Sequence, residues 1–476
     1  MRPLVWFRAD LRTRDNTALH EACAAATRGV LAVFTICPVQ WRMHDWGDPR
    51  ASLVQRSLAA LSKDLLDRNI ALKLITRDRF RGVEEDLLKL AREHQCTALY
   101  YNSEYEVNEQ DRDHRVNAAF NDAKLPVHAF HDQTVVPPDT LRTGEDKPYT
   151  VYSPYKRRWY EYYNAGKAPS ARGLPKRQPE IVSTPDPIPE RIGDFDPHDA
   201  HAGLWRAGQA HALSRLQAFI QHKIEAYKEE RDFPAIDGTS VLSPYLAVGA
   251  ISPRQCIEAA VEANRGRLDT GSKGPVHWMS EVIWREFYRQ ILVAFPRVCK
   301  HQPFNPRYDI PWRSDAHARA DFDAWKTGNT GYPIIDAAMR QLITTGWMHN
   351  RVRMAVAMFL TKDLLIDWRW GERYFMQRLV DADLANNNGG WQWSAATGTD
   401  AAPYFRIFNP ITQSRKFDPD GRYIRRFIPE LASLDDQIIH EPWRHASLFD
   451  AIDYPRPMVD HSLARERALA AFKVHA

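Results

Sequence analysis

Residues 3–36 read PLVWFRADLRTRDNTALHEACAAATRGVLAVFTI. Pro3–Phe7 is a short apolar run of strand length. Asn16–Ala26 is an alanine-rich helix, and Gly29–Ile36 is a second apolar strand. A helix between two short, continuously apolar strands is the repeating unit of a parallel sheet covered on both faces. The pattern extends outward. Ser52–Asn69 has helical apolar spacing, Ile70–Thr76 is a third strand, Gly82–Gln95 a helix and Thr97–Asn102 a fourth strand. The spacing therefore predicts an α/β domain with a parallel, Rossmann-like sheet over residues 1–135. No G-x-G-x-x-G follows the first strand and no phosphate-binding G-x-x-x-x-G-K-[ST] occurs. A ligand on this domain is expected at the carboxyl edge of the sheet.

Residues 136–205 are dense in proline and charge, which break helices and central strands, and read as a long connector wrapped on the surface. From residue 206 to residue 476 the pattern is helical. Gly208–Asp232, Ser252–Arg265, Pro275–Phe295, Pro333–Trp347 and Asn350–Asp367 all repeat apolar residues at i, i+3 and i+4.

Composition narrows the function classes. The 476 residues carry a net charge of only +4, so charge alone does not require a nucleic-acid partner, although a small excess can be concentrated on one face. No apolar run is long enough to span a membrane. The start, MRPLVWFRADLR, lacks a secretory signal, and the five scattered cysteines give neither a disulfide framework nor a zinc site. A reducing cytoplasm and no metal are expected. Fifteen tryptophans are the outlier.

Three motifs carry candidate chemistry. Gly238–Ser243, GTSVLS, offers backbone N–H groups and small hydroxyls suited to a phosphate, though such a segment is more often a plain turn. In Pro275–Phe295, Glu281, Trp284, Arg285 and Tyr288 fall at i, i+3, i+4 and i+7 and share one helix face. A Glu–Arg surface pair is the plain reading. A carboxylate beside an indole also suits an extruded base, which needs a stacking plane and a hydrogen-bond acceptor. Asn350, Arg351, Arg353 and Met354 lie within about one helical turn.

Taken together, RADLRTRDNTAL (8–19), RDFPAIDGTSVLSPYLAVGAISPRQ (231–255), EVIWREFYRQ (281–290), TGYPIIDAAMRQL (330–342), GWMHNRVRMAVAMFLTKDLLIDW (346–368), DADLANNNGGWQW (381–393) and TGTDAAPYFRIFNP (397–410) resemble the photolyase/cryptochrome family. The nearest likeness is to class I cyclobutane pyrimidine dimer photolyases with a folate antenna. The resemblance implies an α/β antenna domain and an all-α FAD-binding domain. It also implies light-driven repair of UV-damaged DNA, duplex or single-stranded, by electron transfer from excited reduced FAD. The alternative is a cryptochrome-type photoreceptor without repair. A monomer with no obligate protein partner is expected.

The resemblance also implies residue roles. Tyr227 and Thr239, Ser240, Val241, Leu242 and Ser243 would contact the FAD phosphates and ribose. Trp278, Glu281, Arg285, Arg353, Asp381, Ala382, Asp383 and Asn387 complete the flavin set. Asn387 matches the position beside flavin N5, where plant cryptochromes carry Asp. Glu281, Trp284, Tyr288, Asn350, Met354 and Trp393 would meet the lesion. Histidines occupy the positions of Asn350 and Met354 in (6-4) photolyases, so cyclobutane dimers are the expected substrate. Trp391, Trp368 and Trp312 form the implied electron route, the alignment around Trp312 being one residue short of the family pattern. Arg231, Arg351 and Arg406, with the KRRW segment at 156–159, are implied DNA contacts. His44, Asn108, Glu109, Cys299 and Lys300 resemble the site for 5,10-methenyltetrahydrofolate.

Overall fold

In the computed structural model, Pro3–Phe7 is strand β1, and all five of its residues are buried. Strands β2 (Leu31–Ile36), β3 (Ala71–Thr76), β4 (Ala98–Asn102) and β5 (Val127–Phe130) complete a sheet of order β3-β2-β1-β4-β5. Every pairing is parallel. The helices Thr17–Ala25, Asp48–Leu66, Val83–Glu93 and Val107–Asp122 fall between successive strands. The strands and helices predicted over residues 3–102 are present. β5 was not predicted: its sequence, VHAF, is an edge strand with its middle residues exposed, so it carries no apolar run. The structure describes residues 1–196, 200–306, 310–445 and 452–473.

The chain divides into two units. The first comprises Met1–Glu225, Ser240–Pro296 and Val380–Asp383. Within it the proline-rich stretch does two things that its composition concealed. Tyr152–Asn164 is a helix, with Tyr152, Tyr155 and Trp159 buried. Pro154 falls in its first turn, where a missing N–H breaks no helical hydrogen bond. Farther on, the Asp186 N–H donates to Leu72 O at 2.9 Å, and the Asp186 carboxylate accepts from Leu74 N–H at 2.8 Å. This segment closes the exposed edge of β3. Lys273–Ala294, a helix of 22 residues, belongs to the same unit.

The second unit comprises Ala226–Thr239, Arg297–Leu379 and Leu384–Ala476, and its regular elements among the described residues are helices. The helix expected over 350–367 stops at Met358. A π-helical turn, Phe359–Asp363, follows, and Asp367 then caps the helix Trp368–Arg378. The amide-rich stretch at 386–393 lies in the helix Leu384–Ala395.

Candidate functional site

On Lys273–Ala294 the residues Val282, Ile283, Glu286, Phe287, Arg289 and Gln290 are buried. Glu281, Trp284, Arg285 and Tyr288 are each partly exposed. The helix thus presents the face that the spacing predicted. Trp284 lies flat on Tyr152, with ring centroids 3.6 Å apart and planes 12° from parallel. Arg285 donates to Gln133 O at 2.6 Å and to Leu246 O at 3.3 Å. Its charge is engaged by backbone carbonyls, and desolvation together with the neighbouring Arg289 guanidinium pushes it down to about 10.

Two residues that the sequence reading passed over hold this helix in place. Glu286, 1% exposed, accepts from the N–H groups of Val135 and Val136 and from Trp159 Nε1 at 2.7 Å. Burial pushes its carboxyl above the ordinary range, and the three donors partly offset that. Trp159 is fully buried, so the KRRW segment does not present all its residues as a DNA-contacting strip. Arg289 pairs with Asp383 and donates to Gln133 Oε1 at 3.3 Å. Arg289 thereby fixes the partly exposed Asp383 at the end of the Val380–Asp383 segment, where Asp381 and Ala382 are buried.

The segment Thr239–Ser243 leads into the short helix Ser243–Ala247. Val241 has φ +49°, a left-handed conformation unfavourable for a β-branched residue. Ser240 Oγ accepts from Trp278 Nε1 at 3.3 Å, and Trp278 packs against Phe219 with ring centroids 5.0 Å apart. The segment therefore carries backbone strain and is not a relaxed turn. Tyr227 opens the helix Tyr227–Glu230 and is buried.

In the second unit, Asn350 begins the helix Asn350–Met358 and is exposed, and Met354, one turn on, is partly exposed. Arg351 pairs with Asp232 at 2.6 Å, and Arg231 approaches the same carboxylate at 3.9 Å. Arg353 Nε donates to Met348 O at 2.7 Å. Arg406 is exposed. His349 accepts the Arg351 N–H on its Nδ1 at 3.2 Å, so its proton sits on Nε2. Burial lowers its pKa to about 4.

The helix Leu384–Ala395 uses much of its polarity internally. Asn387 Nδ2 donates to Glu372 O at 2.9 Å. Asn388 Nδ2 donates to Glu372 Oε1, and Asn388 Oδ1 accepts from Gln392 Nε2, both at 2.8 Å. Trp391 is 2% exposed, whereas Trp393 is partly exposed. Gly371 admits Trp391: a Cβ at Gly371 would fall 2.0 Å from the indole. Trp368 is buried, and the partly exposed Trp312 packs edge-on to Phe472, with centroids 5.8 Å apart.

The antenna candidates divide between the units. His44 Nδ1 lies 3.2 Å from Glu109 Oε1, and its Nε2 lies 2.9 Å from Asn108 Nδ2. Gln40 Nε2 also reaches Nε2, at 2.9 Å. With two amide donors on Nε2, the proton sits on Nδ1 and is donated to Glu109. Cys299 and Lys300 lie on the 3-10 turn Val298–Lys300 of the second unit.

At the carboxyl edge of the sheet, the default place for a ligand, the part beyond β1 and β5 is filled. Arg254 reaches Asp15 at 3.1 Å and Asp132 at 2.5 Å, and Arg12 pairs with the same Asp132. Asn102, at the end of β4, donates to Asp10 Oδ2 at 2.6 Å. These residues are at most 2% exposed. Burial opposes ionisation of Asp132, but Arg12 and Arg254 outweigh it and hold the carboxyl well below the usual range.

A five-stranded parallel sheet, a helix with an aromatic–carboxylate face in the same unit and a second, helical unit carrying a series of tryptophans define an α/β-plus-helical architecture. Residues 3–176 match DNA photolyase and residues 278–474 match the FAD binding domain of DNA photolyase. The deoxyribodipyrimidine photo-lyase of Escherichia coli (strain K12) is 43% identical over 99% of this chain and 98% of its own length. A bacterial class III photolyase from Agrobacterium tumefaciens has a similar structure, with a TM-score of 0.88 and 37% identity over 100% of this chain and 97% of that one. The cryptochrome of Synechocystis sp. PCC6803 gives 0.82 and 29% over 98% and 99%. The chain belongs to the DNA photolyase family, and its C-terminal half includes that family's FAD-binding domain.

Proposed function

We propose that this chain repairs cyclobutane pyrimidine dimers in UV-damaged DNA under light, as a carbon–carbon lyase carrying FAD. The observation that carries the reading is the partly exposed Glu281–Trp284–Tyr288 face, with Trp284 laid flat and backed on one side. An indole plane beside a carboxylate offers an extruded pyrimidine pair both a stacking surface and a hydrogen-bond partner. Asn350, Met354 and Trp393 would supply further lesion contacts, their partial or full exposure leaving them accessible. Arg231, Arg351 and Arg406 would meet backbone phosphates, making binding salt-dependent.

The residues present fit FAD. The strained Thr239–Ser243 backbone, with Val241 at φ +49°, suits close approach to a pyrophosphate. Asp383, fixed by Arg289, and Asp381 would face the polar groups of the isoalloxazine and ribityl chain. Asn387 spends an amide N–H on Glu372 O and so offers its amide oxygen as an acceptor. When bound and reduced, FAD supplies on excitation the single electron that opens the cyclobutane ring. The protein positions the dimer, excludes water and holds the carboxylates. Trp312, partly exposed, would take up electrons at the surface and relay them through the buried Trp368 and Trp391. The His44–Asn108–Glu109 cluster would hold a methenyltetrahydrofolate antenna. Glu109 Oε2 is buried without a hydrogen-bond partner among the described residues, an acceptor that an amino-pterin N–H would satisfy. Lys300 would meet the folate's glutamate tail. A cytoplasmic monomer is the corresponding state of the protein.

Illumination of a dimer-containing oligonucleotide with the protein tests this reading, and light-dependent loss of dimers is expected. A photoreceptor without repair would bind flavin and leave the dimers intact. Trp368→Phe should slow flavin photoreduction at least tenfold, about 1.4 kcal/mol or more of barrier, and leave repair by chemically pre-reduced enzyme unchanged. Loss of that repair would remove Trp368 from the route.

A further inference from the structure

Trp284 sits on a half-open helix face, and an indole there needs something to fix its plane. The connector helix Tyr152–Asn164 supplies it. Tyr152 covers one face of the indole at 3.6 Å and 12°, closer than the roughly 4.5–7 Å usual for aromatic pairs. The same Tyr152 hydroxyl donates to Ser280 O at 2.6 Å and lies 2.7 Å from Ser280 Oγ, one turn before Trp284 on the same helix. Phe287 closes the box edge-on, 5.8 Å from Tyr152 and 5.5 Å from Trp284. Lys156 Nζ lies 5.4 Å from the Tyr152 ring. Two turns on, the connector helix is pinned again through Trp159 to Glu286. Tyr152 is thus fixed at its hydroxyl and at its ring, and both anchors belong to the helix that carries the proposed reading face.

We propose that Tyr152 is a positioning residue for lesion recognition: it holds the Trp284 indole as a rigid plate on which a fused pyrimidine pair stacks. This rests on the reading of Trp284 as a lesion contact. The rings of a cyclobutane dimer are saturated at the fused carbons and puckered, so they stack poorly within a strand and gain most from a flat surface outside it. Undamaged pyrimidines keep their own stacking and do not reach the plate. Removing the backing ring should therefore weaken lesion binding selectively.

The test measures dissociation constants for a single-stranded oligonucleotide with and without one dimer, using FAD-loaded protein in the dark, and repair per absorbed photon at saturating enzyme. Tyr152→Leu should weaken binding of the dimer about tenfold, the scale of one lost aromatic pair. Binding of undamaged DNA should stay within about twofold and repair per photon by the bound complex should be unchanged, while Tyr152→Phe, which keeps the ring, should stay within about twofold throughout. If Tyr152→Leu does not fold, Tyr152→Met, flexible enough to fill the space, carries the same test. Unchanged dimer affinity, equal losses on both oligonucleotides, or Phe as damaging as Leu each overturn the proposal. Trp284→Ala is measured alongside. If it leaves dimer affinity intact, the lesion reading of Trp284 fails; if it lowers affinity while Tyr152→Leu does not, only the positioning role fails.

Discussion

The first unit contains two clusters that each combine carboxylate and guanidinium side chains, and they differ in closure. At the carboxyl edge of the sheet, Arg12, Asp15, Asp132 and Arg254 are at most 2% exposed and their charges are matched to one another. On the helix Lys273–Ala294, Glu281, Trp284, Arg285 and Tyr288 are partly exposed, and the indole of that set lies on a ring supplied by another helix. The first arrangement consumes its own charges and leaves nothing to offer a ligand. The second keeps a flat apolar surface and a carboxylate accessible. Residue type alone does not separate a structural cluster from a reading surface; closure does.

The largest effect should come from opening the closed cluster. Arg254→Met leaves Asp15 and Asp132 short of a partner and should cost about 3–5 kcal/mol of stability, read as a lower urea midpoint. In the unaltered protein Asp132 contributes stability above its unfolded pKa of about 3.9, lost as pH falls below that value because its folded carboxyl stays ionised longer. If Arg254→Met kept full stability, the distinction between the clusters would fail.

His349 tests the boundary between the two types, because it is buried yet stands one residue before the exposed Asn350. Asp232 faces it and favours its charge, while Arg231, Arg351 and Arg353 oppose it, and burial dominates. With a folded pKa of about 4 against about 6.5 unfolded, the unfolded chain binds the extra proton first. Stability should be full above about pH 6.5 and fall by roughly 1.4 kcal/mol per pH unit toward pH 4. Protonation would also set an N–H on Nδ1 against the Arg351 N–H. His349→Asn keeps a capping acceptor and should flatten that slope in urea titrations at several pH values.

On the open face the expected change is in recognition, not folding. Glu281→Gln should weaken binding of a dimer-containing oligonucleotide by about 1–2 kcal/mol, since it replaces a charged acceptor by a neutral one. The urea midpoint should scarcely move, as expected for partly exposed positions. Stability loss matching that of Arg254→Met would place Glu281 with the closed cluster.

The extent of what the sequence disclosed follows the range of the interactions involved. Strands β1 to β4 were legible because each is a local apolar run, and β5 was not because VHAF is an edge strand open to solvent. The shared face of Glu281, Trp284, Arg285 and Tyr288 was legible from helical spacing alone. That Arg285 spends its hydrogen bonds on Gln133 O and Leu246 O was not, since those partners lie 152 and 39 residues away. Glu286 and Arg289 stayed hidden for the same reason. The connector helix had a local signal, Tyr152, Tyr155 and Trp159 at i, i+3 and i+7, but prolines and charges around it outweighed three aromatic residues. Composition described the segment's surface, and spacing held the information about its packing.

The smallest expected effect sharpens the comparison in the second unit, where Asp232 lies between two arginines proposed to meet DNA phosphates. It pairs with Arg351 at 2.6 Å and stands 3.9 Å from Arg231, and all three side chains are partly exposed. In that setting an ion pair contributes little, so Asp232→Asn should change stability by less than about 1 kcal/mol. Its effect should appear in DNA binding. With the carboxylate gone, the Arg351 guanidinium loses this ion pair and turns toward phosphate, and affinity for undamaged DNA should rise a few-fold at low salt. The slope of log affinity against log salt should steepen by up to about 0.7 for each added contact on a single strand. Dimer selectivity should not change, because phosphate contacts position without reading. A fall in affinity, or a shift in selectivity, would mean that Asp232 holds Arg351 in its binding geometry, so that this pair behaves as the closed cluster does despite its exposure.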